Sequence, residues 1–172
     1  MKKTIFIAIL TLLCSTLTQA QKDPIRDFYR HYNTSPNATG VRIQGLFIRL
    51  ASKVTDAEDA SKLLRKISRL ELLQLENGEQ PLQEDFDRLI KGVKAESYED
   101  LIMMRGNNEH VNLLIREKDG IINNILILVR ETDEFLMLHL ECKLRFSDLN
   151  DLDIDVDGAE HLKSLPENRF RA

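Results

Sequence analysis

Residues 121–130 read IINNILILVR and residues 135–144 read FLMLHLECKL, joined through Glu131-Thr132-Asp133. In the first run Ile125, Ile127 and Val129 alternate against Leu126 and Leu128, so both faces are apolar. That is the pattern of a central strand, covered on both sides or lying at an interface. In the second run Leu136, Leu138, Leu140, Cys142 and Leu144 share one face. His139 and Glu141 fall on the other, polar face. This alternation predicts Ile125, Ile127, Leu138 and Leu140 to be almost fully buried. Upstream, Tyr98–Met104 and His110–Glu117 also read as strands. The connectors Gly106-Asn107-Asn108 and Lys118-Asp119-Gly120 are short and turn-forming. Connections this short force antiparallel neighbours, hence a four-stranded C-terminal meander.

Helical spacing dominates the first half. Asp23-Pro24 is a capping side chain followed by proline at the first helical position, and Ile25, Phe28, Tyr29 and Tyr32 form one apolar stripe. Such a stripe docks a terminal helix more often than it stacks a ligand. The loop Asn33–Gly40 follows. Val41 and Ile43 suggest a strand that either continues through Leu50 or yields to a helix over Gly45–Lys53. Thr55-Asp56-Ala57-Glu58 fits a capping box for a helix with Ala57, Ala60, Leu64 and Ile67 as its apolar positions. Leu70, Leu72 and Leu75 read as a strand closed by Glu76-Asn77-Gly78, and Pro81 opens a helix carrying Leu82, Phe86, Leu89, Ile90 and Val93. The expected class is α+β. The meander is extended by one or two N-terminal strands, with helices packed mainly on one face.

The first twenty residues carry an export pattern. Lys2 and Lys3 form a positive start, Ile5–Leu13 an apolar core too short to span a bilayer comfortably, and Thr18-Gln19-Ala20 the small residues that a signal peptidase accepts. Cleavage between Ala20 and Gln21 is expected, leaving one domain over residues 21–172, with its core at about 24–163, a polar tail at 166–172 and no transmembrane segment. Cys14 could suggest lipidation, but the bulky Leu13 before it argues against that. Residues 1–20 hold two lysines and no acid, so the remaining chain has 22 basic and 28 acidic residues, a net charge of −6. A net acidic chain without a basic cluster argues against nucleic acid as a partner. Cys142 is then a lone thiol on an apolar strand face, more a small buried hydrophobe than a reactive group.

An ordered set of segments carries a family resemblance: Tyr98-Glu99-Asp100-Leu101, Lys118-Asp119-Gly120-Ile121, Leu128-Val129-Arg130 and Gly158-Ala159-Glu160-His161-Leu162. Together they resemble the domain-of-unknown-function family 4252 (DUF4252), small exported bacterial proteins, over about Phe28 to Leu162. The chain departs from that pattern at Cys142, where the family tends to carry glycine. The resemblance implies export and an α+β fold. It carries over no activity and no catalytic residues.

Candidates for chemistry are few. Asp153, Asp155 and Asp157 followed by Gly158 match the start of a calcium loop, but position twelve is Ser164 where a bidentate glutamate is needed. A solvated acidic turn is the better reading. His139 and Glu141 could form an acid–base pair, with His110 nearby on the same polar face, but two groups do not close a metal site. There is no nucleophile elbow, paired cysteine motif or phosphate loop. The expectation is an exported, non-enzymatic interaction module without a cofactor, binding an envelope protein or itself. The alternative is an envelope hydrolase or small-ligand carrier whose site is built on His110, His139 and Glu141.

Overall fold

Strands Ile121–Arg130 (β5) and Phe135–Leu144 (β6) lie side by side at the centre of a six-stranded antiparallel sheet. The computed structural model describes residues 23–45, 47–48 and 58–150. In chain order the elements are α1 (Pro24–Tyr32), β1 (Ala38–Gln44), α2 (Glu58–Lys66), β2 (Ile67–Leu75), α3 (Gln83–Ala95), β3 (Glu99–Arg105), β4 (His110–Lys118), β5, β6 and α4 (Phe146–Asn150). The strand order across the sheet is β1-β2-β6-β5-β4-β3. Asp119 and Gly120 both take positive φ, 56° and 77°, which is the backbone a two-residue hairpin between β4 and β5 requires. The first strand begins at Ala38, inside the stretch expected as loop, because residues 38–40 already pair with Leu73–Leu75; it ends at Gln44, and the described residues Gly45, Phe47 and Ile48 are helical. Ile67, expected in a helix, instead opens β2, because the helical segment stops at Lys66.

Helix α1 starts as its sequence dictates. The Asp23 carboxylate accepts from the Ile25 and Arg26 amides at 3.1 and 3.0 Å, with Pro24 in the first turn. Its stripe of Ile25, Phe28, Tyr29 and Tyr32 packs with Leu89 and Val93 of α3 onto Leu73, Leu75, Leu126, Leu128, Phe135 and Met137 of the sheet. Tyr32 pins the two helices together by donating to Asp85 at 2.8 Å and accepting from the Leu82 amide at 2.9 Å. A Cβ at Gly92 would lie 2.7 Å from Pro24, so the glycine permits this close approach.

The opposite face of the sheet carries a second cluster, in which Ile67, Ile115, Ile122, Ile125, Cys142 and Leu144 are buried against partners that include Leu63 and Leu64 of α2. Here one expectation fails. Ile125 is buried, but Ile127, Leu138 and Leu140 are only half-buried. The reason is that β6 is apolar on both faces along its first half. Phe135 and Met137 take the position beneath the helices, leaving Leu136 and Leu138 on the more open side.

Cys142 is buried, its thiol 3.5 Å from the Ile122 carbonyl, and burial pushes its pKa up to about 11. The thiol should therefore react with a neutral-pH disulfide reagent only after unfolding. Stopped-flow labelling of the chain starting at Gln21, which lacks Cys14, reads this with and without denaturant, and prompt labelling of that chain in its native state contradicts it.

Candidate functional site

The helix-covered face divides into an apolar end and a polar end. On one cross-strand row Arg42, Glu71 and His139 stand side by side, and on the next Arg69, Glu141, Asn124 and Arg116. Glu71, Asn124 and His139 are all buried, at 4%, 5% and 5% exposure. Buried polar groups must be paired, and these are. Glu71 receives the Arg42 guanidinium at 2.7 Å on one oxygen and approaches His139 Nδ1 at 3.4 Å with the other. Arg116 donates twice to Asn124 Oδ1, at 2.6 and 3.0 Å. That turns the Asn124 amide nitrogen toward His139 Nε2, 3.2 Å away. Nε2 is thus an acceptor, and the ring proton sits on Nδ1, facing Glu71.

Tyr98 completes the network from above. Ser97 takes φ 66° at the end of α3, which turns the chain so that the Tyr98 hydroxyl reaches His139 Nε2 at 3.3 Å. Arg116 stacks over the Tyr98 ring at 5.3 Å. Burial raises the Tyr98 pKa, so the group remains a phenol. The hydrogen bond from His139, together with Arg42, holds the Glu71 carboxyl below its ordinary value despite burial. Burial and the nearby Asp23 charge raise Glu96 instead. A cleft of about 250 Å³ opens here, lined by Asp23, Glu96, Tyr98, His139 and Glu141 among others.

The sequence candidates are therefore separated. His139, placed on a polar surface by its alternation with leucines, is buried, because the Glu71, Asn124 and Tyr98 side chains enclose it. Glu141 borders the same cleft but pairs with Arg69 at 2.8 Å. His110 lies toward the other end of the sheet, opposite Arg130 on β5. With the Nε2 lone pair already receiving the Asn124 amide, His139 has no free base position to offer a substrate. Glu71, Tyr98, Asn124 and Arg116 were missed by the sequence reading. An available signal was the placement of Asn124 and Glu71 inside otherwise apolar strands. Among the described residues no group of three or more His, Cys, Asp or Glu side chains is placed to hold a metal ion. Asp153, Asp155, Asp157, Ala20 and Gln21 lie outside the described residues.

An α+β domain built on one antiparallel six-stranded sheet, with a closed polar network under its helices, is the class that the architecture defines. The family model described as Domain of unknown function (DUF4252) matches residues 32–152, and the chain belongs to that family. No curated protein and no solved structure matched the chain. Among the described residues no helix is long and apolar enough to cross a membrane.

Proposed function

We propose that this protein is an exported, non-enzymatic interaction module that docks a protein partner, an envelope protein or a second copy, through the aliphatic surface on the sheet face opposite α1 and α3. One observation carries the reading. Val41, Leu72, Leu138, Ile127, Leu113 and Ile102 form a single cross-strand row, one aliphatic side chain from each of the six strands. Val41 is 36% exposed and the other five are half-buried, and Met104 extends the surface at 48% exposure. An aliphatic stripe across a whole sheet is costly to leave in water, and covering it is the ordinary driving force of association. Export rests on the pattern of residues 2–20. The closed His139 network supports the non-enzymatic reading, since its groups are committed to one another.

Light scattering after size exclusion, with a pull-down from envelope extract, tests the docking face. The chain starting at Gln21 should self-associate or retain a partner, and Leu113→Glu should abolish this while keeping the native circular dichroism spectrum. A strictly monomeric protein that retains nothing overturns the reading. Mass spectrometry of the exported chain tests the cleavage site and should find Gln21 at its start.

A further inference from the structure

We propose that the cleft between α3 and the β3–β4–β5 end of the sheet binds a small organic anion, a carboxylate carried on an apolar body. This site is independent of the docking face, since it lies on the opposite, helix-covered side. The cleft measures about 690 Å³, within the range of small-molecule sites. Its floor is a cross-strand row in which Arg105, His110 and Arg130 are direct neighbours. Lys91 and Lys94 reach it from α3.

Arg105 and Arg130 flank His110 in this row, so two permanent cations line one edge of the cleft. Lys94 is answered by Asp100 at 2.6 Å. Among the described residues Lys91, Arg105 and Arg130 have no carboxylate partner. Asp87 is the single acid among the described residues of the lining, and it accepts from Gln83 at 2.8 Å.

Arg130 gives the sharpest indication. Its Nη1 donates to Gln83 at 2.9 Å and its guanidinium lies over the Phe86 ring at 4.3 Å. The remaining edge of the fork, Nε and Nη2, is buried with no hydrogen-bond partner among the described residues, as is Gln80 Oε1. Those two parallel donors are the arrangement that grips a carboxylate bidentately. Burial lowers the Arg130 pKa, with the Asp87 charge acting in the opposite sense. An anion at this edge supplies the missing acceptor. Phe86, Ile90 and Met103 line the same cleft, and Met103 is 51% exposed. They give the apolar wall for the ligand's body.

Titration calorimetry with octanoate on the chain from Gln21 tests the site, with octyl glucoside and inorganic phosphate as separate arms. Octanoate should bind saturably at one site with Kd below about 1 mM. Arg130→Gln should weaken it at least about tenfold, the loss of one charge-assisted bidentate contact. Arg105→Gln, a change on an exposed edge strand that leaves the core intact, should weaken it about threefold or more even if Arg130→Gln fails to fold. No saturable octanoate binding overturns the proposal, as does unchanged affinity in Arg105→Gln. Octyl glucoside binding as tightly as octanoate overturns the need for an anion, and phosphate doing so overturns the need for an apolar body.

Discussion

Replacing Phe135 by alanine should lower the unfolding free energy by about 3–5 kcal/mol, the usual range for a buried phenylalanine whose removal leaves a cavity. Phe135 is fully buried on the central strand β6, with the Phe28 ring at 5.8 Å and the Phe86 ring at 6.4 Å. One side chain thus connects both covering helices to the sheet. Leu138→Ala, three residues along the same strand, should cost less, about 1–2 kcal/mol, because Leu138 is only half-buried and its loss opens no closed cavity. Urea denaturation of both variants reads the difference. A domain of this size has about 5–15 kcal/mol in total, so Phe135→Ala should also melt well below the wild type. Equal effects at the two positions would overturn the assignment of the helix-covered face as the main core.

The second large effect is expected at Glu71. Its folded pKa is lowered, first by the His139 hydrogen bond and then by the nearby Arg42 charge. A depressed carboxylate contributes stability that is present above its unfolded value and lost as pH falls through the folded one. Wild-type stability should therefore decline as pH drops below about 4.5, the ordinary glutamate value. Glu96, raised by burial and by Asp23, acts in the opposite sense, its ionisation costing stability as pH rises. Glu71→Gln should cost about 2–3 kcal/mol at pH 7, through the loss of a buried charge-assisted pair, and should flatten the acid decline. Denaturant titrations from pH 3 to 7 measure both. An acid decline as steep as the wild type's would show that Glu71 is not the group responsible.

The strands were legible in the sequence because their alternation and turns are local. Asp119-Gly120 marks its hairpin by composition alone, and the double-sided apolarity of Ile121–Val129 places β5 in the middle of the sheet. Which face is the deeper one was not legible. Leu136, Leu138 and Leu140 form the more regular series, yet Phe135 and Met137 lie beneath the helices. That choice is made by the stripe of α1 and α3, more than 40 residues away in the chain. The polar network was hidden for the same reason. Glu71 and His139 meet across 68 residues, and only the pairing of β2 with β6 brings them together. The His139–Glu141 spacing does place both side chains at one cleft, but each is paired with another residue, His139 with Glu71 and Glu141 with Arg69.

The strand order has a consequence for how the chain is built. β3, β4, β5 and β6 can zip in sequence, each closing a short loop on its neighbour. β1 and β2, joined through residues 45–66, are synthesised first, but the edge that β2 must join belongs to β6, which emerges some 60 residues later. Until then Leu70, Leu72, Leu73 and Leu75 lack the β6 side of their packing, and the β2 edge stays unpaired. By loop-closure entropy, this late docking is the step expected to be slowest. The β1–β2 pair is therefore the part of the chain most open to misassociation before the sheet is complete.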